Sequence, residues 1–303
     1  MNIMPLPSDV ARLPTIKAKT WLQIDTNEEI VIEGPAFDKE GNLFITSPSS
    51  GKIYRITPQK QKNIIYINKD TIVNGLAVHK DGSLFIVCIS GELLSMDSDG
   101  GNVKSFYPKY KGKTLSMNDL VFDAKGNIYV TDFSGTAMHA TGGVYRISTD
   151  GNIVEPVLQN LSTPNGVSLS PDGHLLWVSE TTRNIVLRIA LMEDGITASP
   201  IDGIVRVYYS TGFSGPDSNK VDKKGNLYQC IMGQGRAIVI NEYGIPIANV
   251  VISGREKGRF LRSSNLAFKP GTAEGYITAG GKGGAWICKF KGLAEGLRLF
   301  SHT

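Results

Sequence analysis

The sequence has few cysteines, no long apolar run and no block of one charge. In 303 residues there are three cysteines, Cys88, Cys230 and Cys288, and none stands at the CxxC spacing of a metal or redox motif. A set so sparse and odd excludes a disulfide framework and fits a reducing compartment, so a cytoplasmic protein is expected. No apolar stretch approaches the roughly 18 residues that cross a bilayer, so no membrane partner is expected. The opening MNIMPLPSDVARLP lacks the basic and apolar regions of a secretory leader. Lys and Arg number 32 against 28 Asp and Glu, a net charge of +4, and the basic residues are scattered. That leaves no footprint for nucleic acid. The densest basic run, Lys109-Tyr110-Lys111-Gly112-Lys113, reads as a solvated loop.

Amphipathic helical periodicity is also nearly absent. In its place are short runs of Val, Ile, Tyr and Phe bounded by Gly, Asp, Asn and Pro, with 34 glycines spread along the chain. These are strand and turn signals. The runs recur as a unit: EGPAFDKEGNLF from Glu33, NGLAVHKDGSLF from Asn74, NDLVFDAKGNIY from Asn118, NGVSLSPDGHLLW from Asn165, DSNKVDKKGNLY from Asp217 and a degenerate SNLAFKPGTAEGY from Ser264. Each unit is a β-hairpin whose turn glycine supplies a positive φ. A third strand follows most hairpins, as in GKIYRITP and GGVYRIST, and then a more polar fourth, as in GNIVEPVLQN. The units start 41, 44, 47, 52 and 47 residues apart. Four antiparallel strands at that period predict an all-β, six-bladed β-propeller. The expectation is one domain over residues 1–303 with residues 1–17 as an N-terminal extension. The segment Trp21-Leu22-Gln23-Ile24 is expected to pair with the last blade and close the ring, removing an exposed sheet edge.

In such a fold the first strand of each unit lines a central channel, and its first residue sits at the channel mouth. Those residues are Glu33, Asn74, Asn118, Asn165, Asp217 and Ser264, all bearing oxygen. Local turn chemistry explains one or two such residues. It explains poorly a Glu, and poorly a set of six. Carboxylates and amides converging on one axis are costly if unpaired, and a hard divalent cation satisfies them. Calcium suits oxygen donors of irregular geometry, and the lack of His and Cys disfavours structural zinc. Elsewhere, His79 and His174 read as surface turn residues. His139 falls in a variable loop. Glu180 either supports a ligand or pairs with Arg183. Gly280-Gly281-Lys282-Gly283-Gly284 lacks the pattern of a phosphate loop and reads as a turn.

Several ordered motifs carry a resemblance: Glu33-Gly34, Asn118-Asp119, YVTDF (129–133), PNGVSLSPDG (164–173), LWVSETT (176–182), GPDS (215–218) and GQGR (233–236). Together they resemble the SMP-30/gluconolactonase/luciferin-regenerating-enzyme family, and within it a branch of staphylococcal drug-responsive lactonases. The resemblance covers nearly the whole chain. It implies a metal-dependent lactonase that opens a small cyclic ester to a hydroxy acid. Glu33, Asn165 and Asp217 match the family's metal ligands, with Asn118 and Ser218 beside them. Asp217 also matches its acid/base, while Asn118 and Asp132 match residues of the catalytic centre. The implied ion is Ca²⁺ first, with Mg²⁺, Mn²⁺ or Zn²⁺ also compatible with oxygen ligands. Asn74 and Ser264 receive no role from the family, and the loop FSGTAMHATGG after Asp132 departs from its pattern. Two other readings stay open at this stage: a metal-dependent aryl-ester or phosphotriester hydrolase, and a non-enzymatic binding propeller.

Overall fold

A computed structural model describes residues 3–303, and nearly all of its regular structure is strand. The inner strands are Glu33–Phe37, Val73–Val78, Met117–Phe122, Pro164–Leu169, Pro216–Val221 and Arg262–Phe268. Each packs against the next, and the last packs against the first, so the circuit closes around an axis. The arrangement is propeller-like.

The expectation of six separate four-stranded blades is corrected by the hydrogen-bonded sheets. Four four-stranded sheets stand apart, built outward from the first four inner strands. Apart from a two-stranded ribbon, the remaining strands merge into a single eight-stranded sheet. The cause is the long N-terminal strand Thr15–Asp25, whose 11 residues use two partners in succession. Its first part runs parallel to Pro246–Ile252, with Thr15 opposite Asn249 and Ala18 opposite Ile252. Its second part runs antiparallel to Ala285–Lys291, with Lys19 opposite Lys289 and Asp25 opposite Ala285. Hydrogen bonding is therefore continuous across a boundary at which the repeat pattern separates two units.

The core lies between neighbouring sheets. Phe44, Ile45, Leu84 and Ile86 are fully buried, and each such side chain stabilises the fold by about 1.5–3 kcal/mol. The free thiols Cys88, Cys230 and Cys288 are buried packing residues. His79 is not the surface residue the hairpin suggests. Its ring lies 5.4 Å from Phe122 and 5.0 Å from Phe300, which belongs to the short 3₁₀ turn Phe300–His302. The basic run is solvated but not an open loop: Lys109–Tyr110 and Lys113–Thr114 pair as a small two-stranded ribbon. No helix among the described residues is long and apolar enough to cross a membrane.

Many of the aspartates that punctuate the sequence are accounted for at the outer hairpin turns. Asn127 donates its backbone N–H (2.9 Å) and its side-chain amide (2.7 Å) to the two carboxylate oxygens of Asp123. Asp38 with Asn42 and Asp222 with Asn226 repeat the device. These aspartates are turn residues. Asp217 has no such turn around it.

Candidate active site and cation ring

Every inner strand breaks register at one place. The irregularities fall between Glu33 and Ala36, Val73 and Leu76, Met117 and Leu120, Pro164 and Val167, Pro216 and Asn219, and Ser263 and Leu266. A bulge re-aims side chains that a regular strand would alternate between faces. The six first positions lie at these bulges and are all buried. The bulges are held by hydroxyls from the second strands. Thr131 Oγ1 accepts from the N–H of Asp119 (3.1 Å) and donates to the carbonyl of Asn165 in the next sheet (2.6 Å). Ser179 Oγ accepts from Gly166 (2.8 Å) and donates to Asp217 (2.7 Å), and Thr46 donates to Asn74 (2.6 Å). Gly34 follows Glu33 with φ +52°, where a Cβ would stand 2.6 Å from the Asn74 carbonyl oxygen. Only glycine fits there.

The ring residues divide by what their side chains do. Asn74 donates its amide to the Asn118 carbonyl (2.9 Å), and Ser264 donates to the Ile32 carbonyl (2.8 Å), so both stitch neighbouring strands. Glu33 Oε2 accepts from its own neighbour Gly34 (3.1 Å) and from the Asn265 amide (3.0 Å). Burial nevertheless pushes Glu33 up to about 7. Burial and then the Glu33 charge hold Asp217 well above the usual carboxylate range, against the opposing hydrogen bond from Asn165. Ser218 Oγ lies 3.3 Å from Asn165 Oδ1. Asn118 Oδ1 is buried and has no hydrogen-bond partner. Glu33, Asn165, Asp217 and Ser218 are thus joined directly or electrostatically, with Asn118 alongside carrying an unused acceptor.

Asp132 is at the same end of its sheet, opposite Met117. It is buried, and one carboxylate oxygen accepts from Ser116 N–H (2.9 Å) and Ser134 Oγ (2.7 Å). It stands on a second strand, one place further from the axis than the inner-strand residues. Glu180 Oε2 accepts from Ser162 N–H (2.7 Å) and lies 3.4 Å from Arg183, which supports the loop between sheets.

Three residues of the site escape the repeat reading. Asn265 is the donor to Glu33, where the alignment points instead to Ser264. Asp119, one residue below Asn118, is buried, with its carboxyl raised by burial against the pull of Lys220. Lys220 Nζ lies 3.3 Å from Asp119 Oδ2. The sequence holds a signal for both. The position after each ring residue is Gly34, Gly75, Asp119, Gly166, Ser218 and Asn265, with a single carboxylate. The third position after it is Ala36, Ala77, Val121, Ser168, Lys220 and Ala267, with a single charge. The two departures from the repeat are partners.

Two cavities flank the ring, and neither is lined by the ring residues. One of about 690 Å³, near the Glu33 and Asp217 end, is walled by Met4, Leu6, Val31, Phe213, Met232 and Leu261. The other, of about 390 Å³, lies at the opposite ends of the inner strands and is lined by Leu76, Leu120, Val221, Phe300 and Lys220. No group of three His, Cys, Asp or Glu side chains among the described residues is arranged to hold a metal. The donors at the ring are two carboxylates supplemented by amides and a hydroxyl. That set matches a hard cation with oxygen ligands, and the unpartnered Asn118 Oδ1 is the kind of buried acceptor such an ion satisfies.

A closed circuit of bulged inner strands, with acids and amides gathered at the axis, defines an all-β propeller-like protein with an oxygen-rich central site. The sequence model described as the SMP-30/Gluconolactonase/LRE-like region matches residues 31–257, and the chain belongs to that family. It is 37% identical to Lactonase drp35 of Staphylococcus saprophyticus, across 97% of this chain and 93% of that one. The same identity holds to Lactonase drp35 of Staphylococcus aureus strain RF122, across 99% and 94%. Among solved structures it resembles XC5397 of Xanthomonas campestris, described as a gluconolactonase, with a TM-score of 0.73, 22% identity and 89% of each chain covered. At that identity the likeness speaks for the fold alone.

Proposed function

We propose that the protein is a lactonase that hydrolyses a cyclic ester to its hydroxy acid, with a divalent cation held at the ring. The similarity to staphylococcal lactonases over almost the full length supports the activity. The observation that carries the site is the pairing of two buried, mutually repelling carboxylates with a buried amide oxygen that has no partner.

Glu33, Asp217, Asn165, Asn118 and Ser218 are the residues that would hold the ion, and oxygen donors of this kind favour Ca²⁺. When bound, the ion supplies Lewis-acid polarisation of the lactone carbonyl and offsets the charge that develops on its oxygen. The remaining work belongs to the chain. Asp217 accepts the proton of the attacking water on its carboxylate and returns it to the ring oxygen as the C–O bond opens. Asn165 donates to that carboxylate and fixes its orientation. The bulge hydroxyls, Ser179 above all, hold the Asp217 backbone in place.

Asp217→Asn keeps the shape and removes the proton acceptor, and Glu33→Gln keeps the shape and removes a ligand charge. Each is expected to lower kcat/KM on responsive lactones by about 10²–10⁴-fold, with circular dichroism unchanged. A panel of aliphatic, aromatic and sugar lactones, phenyl esters and phosphotriesters reads the substrate class. Turnover of esters or phosphotriesters without lactones would overturn the proposal, as would full lactone turnover in both variants.

A further inference from the structure

Four ionisable side chains are coupled at the ring and beside it: Glu33 and Asp217 in the ring, Asp119 next to it, and Lys220 as the single cation. Lys220 lies against Asp119, and its field also reaches Glu33. Asp119 additionally bonds the hydroxyl of Ser218 and the N–H of Leu120 (2.9 Å). The pair joins the third and fifth inner strands across the axis, 101 residues apart in sequence. Both members are departures from the repeat, at positions that carry uncharged residues in every other unit. Asp119 is buried, and Lys220 is largely so.

We propose that Lys220 and Asp119 set the charge of the central site and so its selectivity for a divalent cation. When an ion displaces the protons that burial leaves on the carboxyls, the four groups sum to −2, which a divalent ion neutralises. Without Lys220 the sum is −3, which matches a trivalent ion. Without the Asp119 charge it is −1. Neither member is among the residues that would hold the ion. The pair acts through the field at the ring and through Ser218, whose hydroxyl it helps to orient. This inference rests on the proposed cation site and would explain why a lysine is tolerated on an inner strand, where desolvation is expensive.

The test is a titration of metal-free protein with Ca²⁺ and, separately, with Tb³⁺ as a trivalent ion of similar size. The reading is the ratio of the two dissociation constants, which does not depend on turnover. Lys220→Met is expected to shift that ratio about tenfold or more toward Tb³⁺, and Asp119→Asn about tenfold or more toward Ca²⁺. The double variant, again at −2, is expected to return to the wild-type ratio. Lys220→Arg keeps the charge, alters the packing and is expected to keep the ratio. A purely structural pair would weaken both ions alike in the single variants, and a ratio within twofold of wild type in both would overturn the proposal. If Asp119→Asn does not fold, Lys220→Met and the double variant still decide the point. Wild-type protein that binds neither ion would instead overturn the cation site itself.

Discussion

Glu33 is the residue whose environment speaks most directly. Burial raises its pKa to about 7 from an ordinary 4.5, so the folded state holds a proton that the unfolded chain has released. Stability from this group is therefore complete below pH 4.5 and is lost as pH rises towards 7. Asp217, raised by burial and by Glu33, adds in the same direction. Metal-free protein is expected to melt at a lower temperature at pH 8 than at pH 5, with the loss centred on the span between those values. Saturating Ca²⁺ should remove most of this difference, because the ion takes the place of the protons. Melts at both pH values, with chelator and with Ca²⁺, check this. Equal melting temperatures in chelator would count against buried, uncompensated acids. At Gly34 the expectation is steric. Gly34→Ala places a Cβ against the Asn74 carbonyl at a positive φ, and chemical denaturation should show a loss of more than about 2 kcal/mol.

At the scale of the element, the bulge hydroxyls matter most. Ser179→Ala leaves the Gly166 N–H without a partner in a dry interior and the Asp217 carbonyl with the Gln229 amide (2.7 Å) as its remaining donor. Denaturation should show a cost of about 1–3 kcal/mol, and turnover should fall further than stability alone explains, because the Asp217 backbone loses one of its two side-chain anchors. Much of this architecture was legible beforehand. The hairpins announce themselves because Gly punctuates runs of alternating apolar residues, and aligning them brings Glu33, Asn165 and Asp217 to one axis. What the alignment misses has physical causes. Residue 265 rather than 264 faces Glu33 because the inner strand bulges, and a bulge shifts side chains without altering the repeat. The Asp119–Lys220 pair spans two units, so neither unit on its own reveals it. His79 becomes half-buried because Phe300, from the far end of the chain, packs on its ring.

For the whole molecule, the repeat count misled about sheet boundaries. Local patterning tells where hairpins start, but not that an 11-residue strand lends its first part to one neighbour and its second to another. That strand fuses the final strands into one eight-stranded sheet, while the circuit itself closes where Arg262–Phe268 packs against Glu33–Phe37. Ala18, fully buried at the crossover, tests it. Ala18→Asp buries an unpaired carboxylate and is expected to cost several kcal/mol and to broaden or split the unfolding transition. The fold thereby holds six bulges around one axis, where the proposed cation would bind.

The most direct measurement is the metal content and lactone turnover of one preparation, before chelation, after chelation and after Ca²⁺ is returned. One divalent ion per chain is expected, with loss of lactone hydrolysis when it is stripped and recovery when it is restored. Full turnover in protein shown by elemental analysis to be free of metal would contradict this expectation.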